Sequence, residues 1–391
     1  MALYIDLHVL QSVPFANLNR DDLGSPKTVR YGSTDRVRVS SQSWKREIRH
    51  EVEERLGEYA KRTRLVPAKV AEALVASGWP EDLGRFAGEQ VARSAGKEGL
   101  KTEEGGKTSV LLYLPQRGIE ELASLCGEHR TALEAAFATL PAKGAKEKGA
   151  KGKAGAAEAL LPKDRVNQVL KSRTATIDLF GRMLAELPGG KVDGAVQVAH
   201  AFTTHGSDPQ RDFFTAVDDW LPTEETGSGH MQTGEFSTGN FYRFATVNLT
   251  DLLKNLHQDR TRAREVVELF IDAYLMSIPQ AKRNSTAPHT LPDLAYFAVR
   301  DRRPVSFAAA FEQPVRAAAG GFGEPARRDL DTYAAAVQRL TGGRGLLAHG
   351  YTCIDDKPLE NLGACHESFA GFTDSCLSAA FAGTDAGTDA E

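Results

Sequence analysis

The chain has 391 residues, 41% of them hydrophobic and 26% charged, which excludes wholesale disorder and fibrous repeats and leaves room for two or three domains. Its formal charge of −4 excludes a protein that holds nucleic acid through bulk charge, so any anion-binding signal must be local. Cys126, Cys353, Cys365 and Cys376 have neither paired CxxC spacing nor the density of a disulfide scaffold, and read as packing residues in a reduced cytoplasm.

Leu3, Ile5, Leu7 and Val9 alternate with Tyr4, Asp6 and His8, the period of a half-buried strand and unlike a secretion signal. After a polar connection, Val37 and Val39 alternate with Arg36 and Arg38 up to Ser40-Ser41-Gln42-Ser43, small polar residues suited to capping a helix. The helix follows from about Trp44 to Leu56, with Trp44, Ile48, Val52 and Leu56 as its buried positions. Residues 57–140 read as mainly helical, with breaks at Pro67, Pro80 and Gly105-Gly106. Residues 141–155, PAKGAKEKGAKGKAG, read as a mobile basic loop.

Further on, Thr174 to Phe180 reads as extended, Gly194 to Phe202 as a short helix, and the Gly/Ser/Thr-rich stretch Pro222 to Gly239 as a projection. Phe241 to Leu249 reads as a strand, and Ala263 to Ile278 as a helix with Val266, Phe270, Ala273 and Ser277 on one face. Glu268 and Asp272 interrupt that helix, which falls short of the ~20 apolar residues a bilayer needs, so no membrane partner is expected. Leu294 to Val299 reads as another strand. Ala326, Leu330, Tyr333, Val337 and Leu340 mark an amphipathic helix, and the tail after Phe381 is expected to fray. Two strand-helix units separated by a large insertion predict an α+β fold, a small antiparallel sheet backed by helices in the ferredoxin-like arrangement also used by RNA-recognition modules.

The chemistry concentrates in residues 19–50. Arg20, Lys27, Arg30, Arg36, Arg38, Lys45, Arg46 and Arg49 stand against Asp21, Asp22, Asp35 and Glu47, a local charge of +4 in an acidic chain. At the helix start, Ser40 to Ser43 offer hydroxyls and free backbone N–H groups where the helix dipole is positive, a receptive place for phosphate oxygens. Lys45 and Arg49 at i,i+4 and Arg46 and Arg49 at i,i+3 line one edge of the first turns. The plainer reading is a solvated helix face with Arg49 paired to Glu53 at i,i+4.

NLNRDD at 17–22, Lys27 and RVRVSSQSWKR at 36–46 resemble the CasC-type backbone subunit of the type I-E CRISPR Cascade surveillance complex. In the same order, Gly181-Arg182-Met183, residues 191–195, 199–201 and 203–205, Phe214-Thr215 with the residues up to Asp219, Glu235-Phe236-Ser237, Gly239, Phe241-Tyr242-Arg243 and Asn248-Leu249 are similar to that family. The resemblance is dense over 1–50 and 178–250 and thins toward residue 300.

It implies a hand-shaped protein: a palm on an RNA-recognition fold, helical fingers and a protruding thumb hairpin. The expected divisions are a first palm part at 1–50, fingers at 51–172, palm return, wedge and thumb at 173–250, and palm completion with C-terminal helices at 251–391. About six copies would line one guide RNA, leaving sequence to be read by base pairing with target DNA. By matching position, Arg20, Lys27, Ser40, Gln42, Lys45, Arg46 and Arg49 would hold the RNA backbone. Met183 would wedge between bases, and Phe214 and Thr215 would belong to the thumb that displaces roughly every sixth base; without the resemblance, Met183 reads as core. The implied partners are guide RNA, target DNA, neighbouring copies, other Cascade subunits and a recruited helicase-nuclease.

Lys143, Lys146, Lys148, Lys151 and Lys153 are candidate contacts to target DNA, with a solvated linker as the equal alternative, since this glycine-broken stretch departs from the family's basic helix. The competing enzyme reading is a metal-dependent nuclease acting through Asp21 and Asp22, or through His200, His205, Asp208, Asp218 and Asp219. No HExxH motif accompanies these residues. The glycine-rich stretches at 320–323 and 342–345 lack the lysine and hydroxyl of a phosphate-binding loop, so no cofactor is expected.

Overall fold

The computed structural model describes residues 2–140, 159–184, 186–217 and 228–382. It divides into two compact units, one formed by residues 1–55 with 195–391 and the other by 56–194. The lysine-rich loop and the chain beyond residue 382 lie outside the described residues.

In the first unit the strand Tyr4–Ala16 is central. It pairs antiparallel with Ser228–Asn248 on one side, from Tyr4↔Asn248 to Val13↔Gly239. On the other side it pairs with Leu294–Arg300, from Tyr4↔Arg300 to Leu10↔Leu294. Ser228–Asn248 also pairs antiparallel with Val196–Val198 and Ala201–Thr203. With the helices Ser41–Leu56 and Arg260–Met276 in their chain positions, this is a β-α-β-β-α-β motif whose strands lie in the order fourth, first, third, second. That is the ferredoxin-like fold anticipated from the sequence. The sheet widens through Leu346–Cys353 and Ala364–Cys365 at one edge and Thr34–Val39 and Thr28–Tyr31 at the other.

Ser41–Leu56 buries Trp44, Ile48 and Val52 at fourfold spacing. Arg260–Met276 is capped by the Asp259 carboxylate, which accepts from Arg262 N at 2.9 Å, and buries Val266, Phe270 and Ala273. The two helices meet through Arg55 and Asp272 at 2.6 Å. Beneath them, Arg243 of the third strand is fully buried, its guanidinium 3.8 Å from the Trp44 ring centroid and 4.5 Å from that of Tyr274. It donates to Gln11 Oε1 at 2.7 Å and to the Tyr274 carbonyl. Burial pulls its pKa down to about 10, which leaves it charged at neutral pH.

The first strand departs from its expected half-burial, because Asp6 and His8 on its polar side are fully buried. The turn Ala308–Phe311 and the helix Gly323–Thr341 cover that face. Phe307, Phe311, Leu330, Ala334 and Val337 pack there against Leu10, Tyr242 and Tyr296. Asp6 is compensated by Arg300 at 3.0 Å and the Val305 amide at 2.8 Å. His8 lies in an aromatic box, its Nδ1 2.9 Å from the Tyr242 hydroxyl and its ring centroid 4.3 Å from that of Phe307. The sheet face on which RNA-recognition modules stack bases is therefore closed here.

Three local expectations are corrected. Residues Ala175–Phe180 are a short helix, not extended chain: the amides of Ile177 and Asp178 close on the Thr174 carbonyl, against the β-branched composition. Gly194 to Phe202 holds two short strands, not a helix, because Val196 and Val198 find partners in Val247 and Ala245. The strand expected from Phe241 begins at Ser228, since its Gly/Thr-rich first half pairs with Gln210–Val217.

The second unit is mainly helical. Val66–Ala76, Glu81–Ser94, Gly118–Glu128 and Lys163–Lys171 enclose Val70, Leu74, Leu83, Val91, Leu122, Leu125, Val166 and Leu170. Pro67 lies inside the first turn of its helix, where a missing N–H costs nothing, so it starts that helix and does not break it. Two two-stranded ribbons, Ala60–Thr63 with Leu112–Pro115 and Thr102–Glu103 with Lys107–Thr108, also belong to the unit.

Arg243→Met leaves the Gln11 and Tyr274 acceptors buried without a donor and should cost about 1–3 kcal/mol for each. Adding Gln11→Leu should recover part of that loss in denaturant titration, because the orphaned acceptor is removed with its partner.

Burial holds the His8 pKa well below 6.5, so the fold keeps it neutral while the unfolded chain takes up a proton below about 6.5. The stability His8 contributes is whole above that pH and drains away as pH falls toward the folded value. Asp6, pushed up to about 6 by burial, acts in the opposite direction between that value and its ordinary 3.8. His8→Phe retains Asp6 and should lower the thermal midpoint at pH 7.5 while flattening its decline toward pH 5.5.

Candidate nucleic-acid interface

The loop before the first helix is tied down at Asn19. Its carbonyl accepts the Lys27 amide at 2.9 Å, and its Oδ1 accepts the Ser40 amide at 2.9 Å. The Lys27 carbonyl in turn accepts the Arg38 amide at 2.7 Å. Asn17 Nδ2 fastens the loop at 2.9 Å from the Gly24 carbonyl and 2.8 Å from that of Glu235. These bonds set Lys27 beside the start of the helix and leave Arg20 exposed on the loop.

At the helix start the Ser40 hydroxyl accepts the Ser43 amide at 3.4 Å and its carbonyl accepts it at 3.0 Å, so Ser40 is an N-cap and is itself buried. Gln42 is exposed and Lys45, one turn on, is half-buried. Arg46 is exposed and lies 3.0 Å from Glu47. Arg49 is largely buried, 3.7 Å from the buried Glu53, so the plainer pairing anticipated from the sequence forms.

The eight cations are not one surface. Arg36 is fully buried and donates to the carbonyls of Tyr31 at 3.2 Å, Thr203 at 2.9 Å, Phe311 at 2.7 Å and Glu312 at 3.2 Å. Burial lowers its pKa, and its charge is spent on holding the Thr28–Val39 hairpin. Gly32 at that hairpin's tip has φ +64°, and a Cβ there would meet the Glu312 carbonyl oxygen at 2.0 Å.

His200 joins the cluster. Its Nδ1 accepts the Ser41 amide at 3.1 Å and an Arg38 Nη1 hydrogen at 3.1 Å. Partial burial, then Arg38 and Lys27, lower its pKa. In the sequence His200 figured only as a matched residue and a candidate metal ligand, and its pairing with the helix start depends on strand register.

Of the acids beside the strip, Asp22 is exposed and Asp21 is engaged structurally. Asp21 Oδ1 accepts the amides of Leu23 at 3.0 Å and Ser25 at 2.9 Å, closing the turn. His205 contacts the Gly206 carbonyl through Nδ1 at 2.8 Å, accepts the Asn240 amide on Nε2 at 3.2 Å, and stacks on Phe322 at 3.6 Å. Asp218 and Asp219 lie outside the described residues. Among the described residues no three His, Cys, Asp or Glu side chains are gathered to hold a metal, so the nuclease reading finds no ligand set there. The described chain also has no helix long and apolar enough to cross a membrane.

The hairpin grows out of the third strand. Gln210–Val217 pairs with its first half, from Gln210↔Phe236 through Phe214↔Gln232 and Thr215↔Met231. At its base Phe15 stacks on Phe236 at 4.4 Å, and Arg211 meets Glu235 at 3.2 Å. Phe214 and Thr215 are exposed, and so is Phe213. Phe213 was missed in the sequence, although adjacent phenylalanines on a strand must present one ring to each face.

In the second unit Met183 is 87% exposed, which corrects the core reading that the sequence alone favours. Its neighbour Arg182 explains the exposure. That guanidinium is buried and donates to the carbonyls of Gly190 at 2.9 Å, Tyr113 at 3.1 Å, Ser172 at 2.8 Å and Lys171 at 2.7 Å. The Arg182 backbone exchanges both hydrogen bonds with Val192 at 2.8 Å. Gly181, at φ +82°, leaves no room for a Cβ against Gly194. With Arg182 and Leu184 turned inward, Met183 faces out.

A ferredoxin-like core with a helical insertion after its first helix, a hairpin drawn from its third strand and a covered second face defines the class of protein. The profile of the CT1975-like protein family matches residues 5–369, and the chain belongs to that family. No curated protein matches it. Among solved structures, a chain of a CRISPR RNA-guided surveillance complex in a pre-nicking state is 45% identical, covering 97% of this chain and 100% of its own, with a TM-score of 0.87. A chain of a second CRISPR RNA-guided surveillance complex is 39% identical over 96% of this chain and 99% of its own, with a TM-score of 0.77.

Met183→Ala should leave stability within about 0.5 kcal/mol in denaturant titration, as for an exposed side chain. A core methionine would cost about 2–5 kcal/mol.

Proposed function

We propose that the chain is a CasC-type backbone subunit of a type I-E Cascade: a non-catalytic scaffold that oligomerises along a CRISPR guide RNA and presents its bases to target DNA in antiviral defence. The observation that carries this reading is the tie at Asn19, which gathers Lys27 and the amide-rich start of the Ser41–Leu56 helix into one place. Similarity over the whole length to chains of RNA-guided surveillance complexes supports it.

Arg20, Lys27, Gln42, Lys45 and Arg46 hold RNA phosphates, while the Ser40 cap fixes the helix start whose dipole favours them. Arg49 contributes as far as its pairing with Glu53 allows. Met183 is the wedge, and Phe214 and Thr215 act in the thumb. Neighbouring copies, other Cascade subunits and a helicase-nuclease are the protein partners, in the cytoplasm. The lysines of residues 141–155 attract target DNA by charge.

On a long single-stranded RNA the protein should form multi-subunit assemblies by sedimentation or electron microscopy, whereas a stand-alone binding module would stay monomeric. Lys27→Ala and Lys45→Ala should each reduce the slope of log affinity against log salt by about 0.7. Slopes equal to the parent's in both variants would remove the strip from the interface.

A further inference from the structure

Strand register places His200. Arg38 pairs with Phe202 and Val39 with Ala201, so the residue before that short strand falls level with the turn from Thr34–Val39 into the helix. The Ala199 amide donates to the Phe244 carbonyl at 2.9 Å, fixing the chain on its other side. His200 Nδ1 then receives two hydrogens, one from the Ser41 amide and one from Arg38, both at 3.1 Å. Neither donor can give up its role, since one is a backbone N–H and the other a guanidinium. Nδ1 is therefore unprotonated, and a neutral ring carries its hydrogen on Nε2.

The charged groups facing the ring are Lys27 from the loop and Arg38 from the adjacent strand, and the helix N-terminus adds the same sign. A neutral acceptor here lets an arginine and a helix amide converge without adding a third positive charge. Only one of the guanidinium's Nη1 hydrogens is drawn to the ring, and the planar fork that remains suits a phosphate.

We propose that Arg38 is a further phosphate-binding residue of this interface and that His200, itself held by the Ser41 amide, is the neutral positioning residue that aims Arg38 at a single phosphate. The inference rests on the RNA-binding reading above and adds to it a contact made through an uncharged residue.

The test is the salt dependence of affinity for a labelled single-stranded RNA. His200→Ala removes no formal charge at neutral pH, yet it should lower the slope by about 0.7, the value of one lost phosphate contact on a single strand. His200→Asn, whose side-chain oxygen reaches the place of Nδ1, should restore the parent slope. His200→Gln, whose amide reaches the place of Nε2, should not. Arg38→Gln should lower the slope as much as His200→Ala, and combining the two should lower it no further.

A parent slope in His200→Ala, recovery by Gln in place of Asn, or additivity with Arg38→Gln would each overturn the proposal. Folding is judged from the thermal midpoints of the Asn and Gln variants, which keep a polar side chain. If the parent protein fails to bind RNA at any salt, the functional reading itself fails, an outcome distinct from all of these.

Discussion

A guanidinium buried between two helices and a sheet is the constraint on which the first unit depends. Removing Arg243 from water carries a penalty of several kcal/mol, which its partners offset only while Trp44, Gln11 and Tyr274 remain in place. Trp44 sits in the first turn of the Ser41–Leu56 helix, the turn that presents the candidate anion site. The site's position is thus tied to the middle of the sheet through one cation. Arg36 and Arg182 use the same device with backbone carbonyls, the first fixing the hairpin beside the site and the second turning Met183 outward.

A chain of net charge −4 presents a local positive surface even with these three arginines buried. Charge that looks surplus along residues 19–50 divides into a buried part, which shapes the backbone, and an exposed part, which faces solvent. Arg36 belongs to the first, and Arg49 is drawn toward it by Glu53. Arg20, Lys27, Arg30, Arg38, Lys45 and Arg46 belong to the second, reinforced by the helix N-terminus. Field at the site then depends on geometry more than on the count of cations.

The same division marks how far the sequence can be read. The alternation at Leu3–Val9, the fourfold spacing from Trp44 and the Val266–Phe270 face report burial directly, and with them the ferredoxin-like fold was legible. Buried arginines were not, because a single Arg in a polar context reads as exposed, and its carbonyl partners lie as much as 276 residues away. Asp6 and His8 kept a two-residue period while both faces of their strand were covered, since a third layer contributed by residues after Leu294 leaves no mark on the first strand's pattern. The helix start was legible as a cap and cationic strip. His200 was not legible as part of it, because its contact with Ser41, 159 residues away, comes from strand pairing.

Closure of the second sheet face has a consequence for how this fold can hold a strand of nucleic acid. An RNA-recognition module usually offers the open face of its sheet to bases, but here Phe307, Phe311 and the Gly323–Thr341 helix occupy that face. What remains in the first unit is the edge where the helix begins, rich in backbone amides and cations and poor in exposed aromatic rings. Such an edge favours phosphates over bases. Exposed Phe213 and Phe214 stand instead on the hairpin, with half-exposed Phe15 at its base, and the hairpin's inner strand runs without a break from Ser228 through Arg243 to Asn248. Because one strand carries both the hairpin and the buried guanidinium beneath Trp44, the aromatic hairpin and the cationic edge at the helix start are joined through a single element.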